Sequence, residues 1–127
     1  MYSTALELAR EERFDAARQA FEEVVVACPC WQKPWVSYAQ MEKRAAQCSE
    51  QRWSKCREIL QRALVLNPES VEVIQAWGLM ELKKGNLLPA VRLLERCVSF
   101  DPVRCEAVLR WKPVVEARNT VSSRKIK

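Results

Sequence analysis

Pro68 and Pro102 stand thirty-four residues apart, and the segments that end on them superpose without a gap. From Asn67-Pro68 the chain runs through Ile74, Trp77, Gly78 and Glu81 to Gly85-Asn86, then through Ala90, Leu94 and Cys97 to Asp101-Pro102. A period of that length is one helix-turn-helix unit, which cannot bury its own apolar face and must stack on a neighbour. The spacing restricts the chain to an all-helical repeat fold.

The residues inside the period have physical reasons to be there. Ile74, Trp77, Gly78 and Glu81 fall at i, i+3, i+4 and i+7 and share one helical face, with the small Gly78 admitting a partner helix at close range. Gly85-Asn86 breaks that helix. Leu87, Ala90, Val91, Leu94, Cys97 and Val98 form a second apolar face, which Asp101-Pro102 ends because the residue before proline is pushed out of helical geometry.

The same ruler finds further copies. Upstream, Trp35, Tyr38, Ala39 and Glu42 take the first-helix face, and Cys56, Leu60 and Ala63 the second, with about five extra residues around Ala46 to Gln51 expected between the helices. Earlier still, Phe14, Ala17, Phe21 and Val24 supply a second helix closed by Pro29, preceded by a short uncapped helix from Met1 to Arg10. Downstream, Val108 and Trp111 lie one period after Ile74 and Trp77. The expected organisation is a repeat domain over 1–117, in repeats of about 1–29, 30–68, 69–102 and a partial 103–117, with a basic C-terminal tail over 118–127.

The fourth copy is expected to lack its second helix. Pro113 interrupts the pattern, and Asn119 to Lys127 are polar and basic without apolar periodicity. Neither end carries the polar cap that closes a soluble repeat array, which implies either a piece of a longer array or ends that dock on protein partners.

Composition excludes several classes. There is no apolar run near the length of a membrane span and no signal-peptide pattern, so no membrane insertion is expected. Zero histidines, no phosphate-binding glycine loop and no nucleophile elbow argue against an enzyme, a cofactor or a small-molecule substrate. Of the six cysteines, Cys56 and Cys97 fall where the repeat needs a small buried residue. Cys28-Pro29-Cys30 has no second pair at zinc-ligand spacing, so no metal site is expected, and disulfides are not favoured in a reducing compartment. Glu42 and Glu81 recur one repeat apart on the packed side, where each is expected to hydrogen-bond or pair with an arginine such as Arg57 or Arg62 of a neighbouring helix.

The string from Trp35 through Tyr38 to Glu42 resembles the first helix of a half-a-tetratricopeptide (HAT) repeat, and Ala76-Trp77-Gly78-Leu79-Met80-Glu81 is similar, with Ile74 in place of the first tryptophan. The likeness spans roughly residues 14 to 111. It implies a right-handed α-solenoid of about three and a half tetratricopeptide-like hairpins that works as a scaffold in RNA processing. The gapless third repeat is closer to the plain tetratricopeptide form, whose members more often bind protein. The lysine, asparagine and arginine clamp by which some of that family grip acidic C-termini is missing, because those places hold Tyr2, Leu6, Ser37, Glu72 and Ala76.

In such an architecture the first helices line the concave face. The side chains expected there include Tyr2 and Arg10, then Lys33, Val36, Gln40, Lys43 and Arg44, then Gln75, Leu79, Leu82 and Lys83. Cations and amides in this pattern suit phosphates and base edges, so Arg10, Lys33, Gln40, Lys43, Arg44, Gln75 and Lys83 are the candidate RNA or partner contacts. Residues 1–103 carry 14 basic and 14 acidic side chains, which leaves the whole net charge of +5 in the last segment. Arg118, Arg124, Lys125 and Lys127 are therefore a second candidate basic surface.

Of the five tryptophans, Trp35, Trp77 and Trp111 are expected in the core. Trp31 is the best candidate for an exposed aromatic contact. The functional expectation is a non-enzymatic scaffold of an RNA-processing or ribonucleoprotein assembly that binds single-stranded RNA, with a protein-only adaptor subunit of a large complex as the alternative. The expected setting is nucleus or an organelle (chloroplast or mitochondrion) matrix, with the cytosol as the other option.

Overall fold

The computed structural model describes residues 1–126, apart from the side chains of Ser49, Arg124, Lys125 and Ile126. Among the described residues the chain is all helical: α1 (Tyr2–Arg10), α2 (Phe14–Ala27), α3 (Gln32–Ala45), α4 (Ser49–Leu66), α5 (Val71–Lys84), α6 (Leu87–Phe100), α7 (Pro102–Arg110) and α8 (Lys112–Ile126). It divides into two units, Met1–Val73 and Ile74–Lys127.

In the first unit α1 packs on α2 and α3 on α4, while α3 also meets α2 and α1. The apolar faces read from the sequence are the ones buried: Ala17, Phe21, Val24, Trp35, Tyr38, Ala39, Cys56, Leu60 and Ala63. Phe21 and Tyr38 stack across α2 and α3 with ring centroids 5.4 Å apart and nearly parallel planes. The corners that close α2 and α4 are tied together at one atom. The Pro29 carbonyl accepts from the Trp35 indole Nε1 at 2.9 Å and from Asn67 Nδ2 at 2.8 Å. Proline recurs at both corners, where it stops the helix, and Asn67 satisfies carbonyls left without helical partners.

The extra residues of the second copy do not form a long loop. α3 ends at Ala45, α4 begins at Ser49, and the insertion lengthens α4 to 18 residues against 14 in α2 and α6. Continuing a helix satisfies every added backbone group internally, which an excursion into solvent does not.

In the second unit α5 lies on α6. A Cβ placed on Gly78 would sit 2.9 Å from Leu94 Cγ and Cδ2, which accounts for the glycine. Gly85 has φ +97°, the left-handed geometry that reverses the chain. Asp101-Pro102 ends α6 and also starts α7, with Pro102 in the first turn and Asp101 Oδ1 accepting from the Arg104 backbone N–H at 3.1 Å.

The C-terminal expectation is corrected. Pro113 does not end a helix; it sits at the second position of α8, where its missing N–H costs nothing. α8 then buries Val114, Ala117 and Val121, the last two against Val91 with Leu82 and Leu87 beside them. A helix therefore follows Pro113 where none was expected, and residues 118–126 belong to it rather than to a separate tail. Three small apolar residues in a polar stretch make a weak pattern, but they fall on one side of the helix. Trp111, expected in the core, is the residue between α7 and α8 and is 49% exposed. Trp77 is half-buried.

Candidate functional site

The most coherent polar surface is on α3. Lys33, Gln40 and Arg44 are all exposed, and separations of seven and four residues place them on one stripe about 16 Å long. Neither Lys33 nor Arg44 forms an ion pair among the described residues. Ser37 lies between Lys33 and Gln40 on the same side, and its hydroxyl is 2.6 Å from the Tyr2 hydroxyl of α1. α1 therefore borders the stripe.

The stripe is held by a polar frame beneath it. Glu42 is 4% exposed, yet it lies on the same helix as the exposed cations. Arg18 of α2 grips it with Nε 3.1 Å from Oε2 and Nη2 2.6 Å from Oε1, and spends Nη1 on Asp15 at 3.0 Å. The hydrogen bond to Glu42 raises the Arg18 pKa further above its usual range. Next to it Arg62 of α4 donates Nη1 and Nη2 to the two oxygens of Glu22, which also accepts from the Tyr38 hydroxyl at 3.2 Å. The Arg62 hydrogen bonds lower the Glu22 pKa, and burial raises that of Tyr38. The Arg62 guanidinium lies 5.3 Å over the Trp35 ring, so it joins the polar frame to the core.

The other candidates are dispersed. Lys43 is half-buried with its ammonium 5.8 Å from the centre of the Trp53 ring, which ties it to α4 and makes it partly structural. Arg10 is exposed at the end of α1. In the second unit Gln75 is half-buried and Lys83 exposed on α5. Trp31 is 44% exposed, as expected, although its edge meets the Tyr2 ring at 5.0 Å. Arg118 is in α8 with Nε 3.5 Å from Glu95 Oε1 of α6, so its charge is already engaged within the unit. Arg124, Lys125 and Lys127 lie outside the described side chains.

Three relationships escaped the sequence. The partner of Glu42 is Arg18, one helix pair upstream, rather than Arg57 or Arg62. A signal existed: the separation from Arg18 to Glu42 is the same as that from Arg57 to Glu81 in the chain. Within the second unit Glu81 accepts from Asn86 Nδ2 at 2.6 Å and from Trp77 Nε1 at 3.3 Å, which places the turn asparagine and the tryptophan on one carboxylate. Trp53 escaped because it is off the repeat register.

No helix among the described residues is long and apolar enough to cross a membrane, and no three acidic, cysteine or histidine side chains among them come together as metal ligands would. Comparison of the sequence with protein-family models and with curated proteins finds no match.

Proposed function

We propose that the chain is a non-enzymatic HAT- or tetratricopeptide-like solenoid that serves as a scaffold in an RNA-processing or ribonucleoprotein assembly and binds single-stranded RNA along α3. The observation that supports this reading most is the Lys33–Gln40–Arg44 stripe, whose cations form no ion pair among the described residues. Two cations separated by an amide suit phosphates flanking a base edge, and neither cation has a carboxylate among the described residues to give up. Lys43 on α3 and Arg10 at the end of α1 belong to the first unit, while Gln75 and Lys83 belong to the second. Trp31 supplies an aromatic face near the start of α3.

The protein-only adaptor is supported by a different observation. Val26, Val65 and Leu66 in the first unit and Phe100, Val103 and Trp111 in the second leave large apolar groups exposed, and such groups favour protein partners.

The deciding measurement is binding of the purified chain to single-stranded RNA over a salt series, alone and with Lys33→Glu plus Arg44→Glu. These two are preferred to Lys43, whose reversal would also disturb Trp53. Affinity that falls steeply with salt, with a shallower slope and at least tenfold weaker binding in the double variant, supports the RNA reading. Absence of binding near physiological salt by the folded wild-type chain overturns it and leaves the adaptor.

A further inference from the structure

Cys97 lies in the last turn of α6 and Cys105 in the middle of α7, on either side of the Asp101-Pro102 corner. Both are fully buried, and their sulfurs are 2.7 Å apart. That separation is about 0.7 Å beyond a disulfide bond length, so the bond closes with little movement of either helix. They are the second unit's two cysteines.

The repeat accounts for one of them only. Cys97 fills the small-residue position of the second helix, whereas Cys105 occupies a first-helix position with no cysteine counterpart one period earlier, at Val71. Cys105 is also the one fully buried side chain of α7, whose Pro102, Val103, Arg104, Glu106 and Ala107 are all exposed. Val108 and Leu109 are half-buried beside it, and a nine-residue helix with one fully buried side chain opens locally at lower cost than the fourteen-residue α6 it packs on. Opening of α7 is thus the route by which a small oxidant reaches two otherwise covered sulfurs.

We propose that Cys97 and Cys105 are a redox couple that cycles between dithiol and disulfide, with a small disulfide such as glutathione disulfide as oxidant, so that oxidation fastens α7 to α6. When α7 opens, the thiolate of one cysteine attacks glutathione disulfide; its S–S bond breaks, a protein–glutathione mixed disulfide forms and one glutathione leaves. The second cysteine then attacks the protein sulfur of that mixed disulfide. The Cys97–Cys105 bond forms and the second glutathione leaves. Two electrons pass from the protein to the oxidant, and the two thiol protons end on the two glutathiones. In the closed state burial, followed by the hydrogen bond with Cys105, raises the Cys97 pKa and holds it as a thiol, so exchange waits on opening.

The test uses the full chain, equilibrated over a series of glutathione disulfide to glutathione ratios, quenched with a maleimide under denaturing conditions and digested with trypsin. Cleavage after Arg96, Arg104 and Arg110 places the two cysteines on separate peptides, 97–104 and 105–110. The expected result is one linked pair of these peptides from monomeric protein, absent after reduction and absent in both Cys97→Ala and Cys105→Ala. A chain with Cys28→Ser and Cys30→Ser should still give it. The oxidised chain should also melt a few degrees higher than the reduced one, because the link restricts the unfolded state. Recovery of both cysteines as maleimide adducts at every ratio, or as two separate glutathione adducts, overturns the couple.

Discussion

Arg18 and Glu42 face each other across α2 and α3 with Nη2 2.6 Å from Oε1, although Glu42 is 4% exposed and the Arg18 side chain 40%. The carboxylate is under the surface and its counter-charge reaches down from the edge, so the pair is tolerated only while both members are present. This contact joins the first helix pair to the second. It is also the physical reason for a glutamate on the packed side of α3.

Removing Arg18 should therefore hurt more than neutralising its partner. Arg18→Ala is expected to cost about 2–4 kcal/mol, because it leaves a buried charge behind, while Glu42→Gln costs less. The double variant should lose less than the sum. Urea unfolding of the four proteins gives the cycle directly.

Acid should weaken the neighbouring Glu22–Arg62 pair. The folded pKa of Glu22 is lowered by the Arg62 hydrogen bonds, so as pH falls the unfolded chain takes up the proton first. The contribution is complete above the ordinary glutamate value of about 4.3 and is lost as pH falls through the lower folded value. Both side chains are more than a third exposed, so the effect is under about 1 kcal/mol. Glu22→Gln should flatten that part of the stability profile while leaving the profile near neutrality shifted by a constant.

Three backbone positions make opposite predictions. Gly78→Ala should destabilise by about 1–2 kcal/mol, because the new methyl meets Leu94. In a Leu94→Ala background the same change should become neutral or stabilising, since alanine is the better helix former. Gly85→Ala meets no neighbour, and its cost of about 1 kcal/mol comes from φ +97° alone. Glu12 has φ 60° without being glycine, so Glu12→Gly should gain up to about 1 kcal/mol. Thermal melts read all three.

The α8 core should be needed for the second unit. Val121→Ala is expected to cost about 1–2 kcal/mol, and truncation after Ala117 considerably more, because Val121 is 5% exposed against Val91 and Ala117. A chain that loses residues 118–127 with no change in unfolding midpoint would contradict the packing of α8.

How much was legible depends on which force acts at each place. The faces carrying Phe21, Trp35, Leu60, Ile74 and Leu94 follow from apolar periodicity, and the corners at Pro29, Asn67-Pro68, Gly85-Asn86 and Asp101-Pro102 follow from steric limits on the backbone. Both signals are local, so a one-dimensional chain states them. Burial of Cys56 and Cys97 belongs to the same class, because each occupies a fixed place in the period.

Pairings between helices are another matter. That Glu42 meets Arg18, that Lys43 lies over Trp53, that Trp111 is left outside while Val121 goes inside, and that Cys105 arrives beside Cys97 all depend on how one helix is rotated against the next. A rotation of that kind changes none of the local periodicities but exchanges every partner. The sequence by itself determined the all-helical character, its corners and most of its buried faces. Only the tertiary structure decided the partners, because a charge or a sulfur is fixed by what lies a few ångströms away in space, and residues on a different helix supply it.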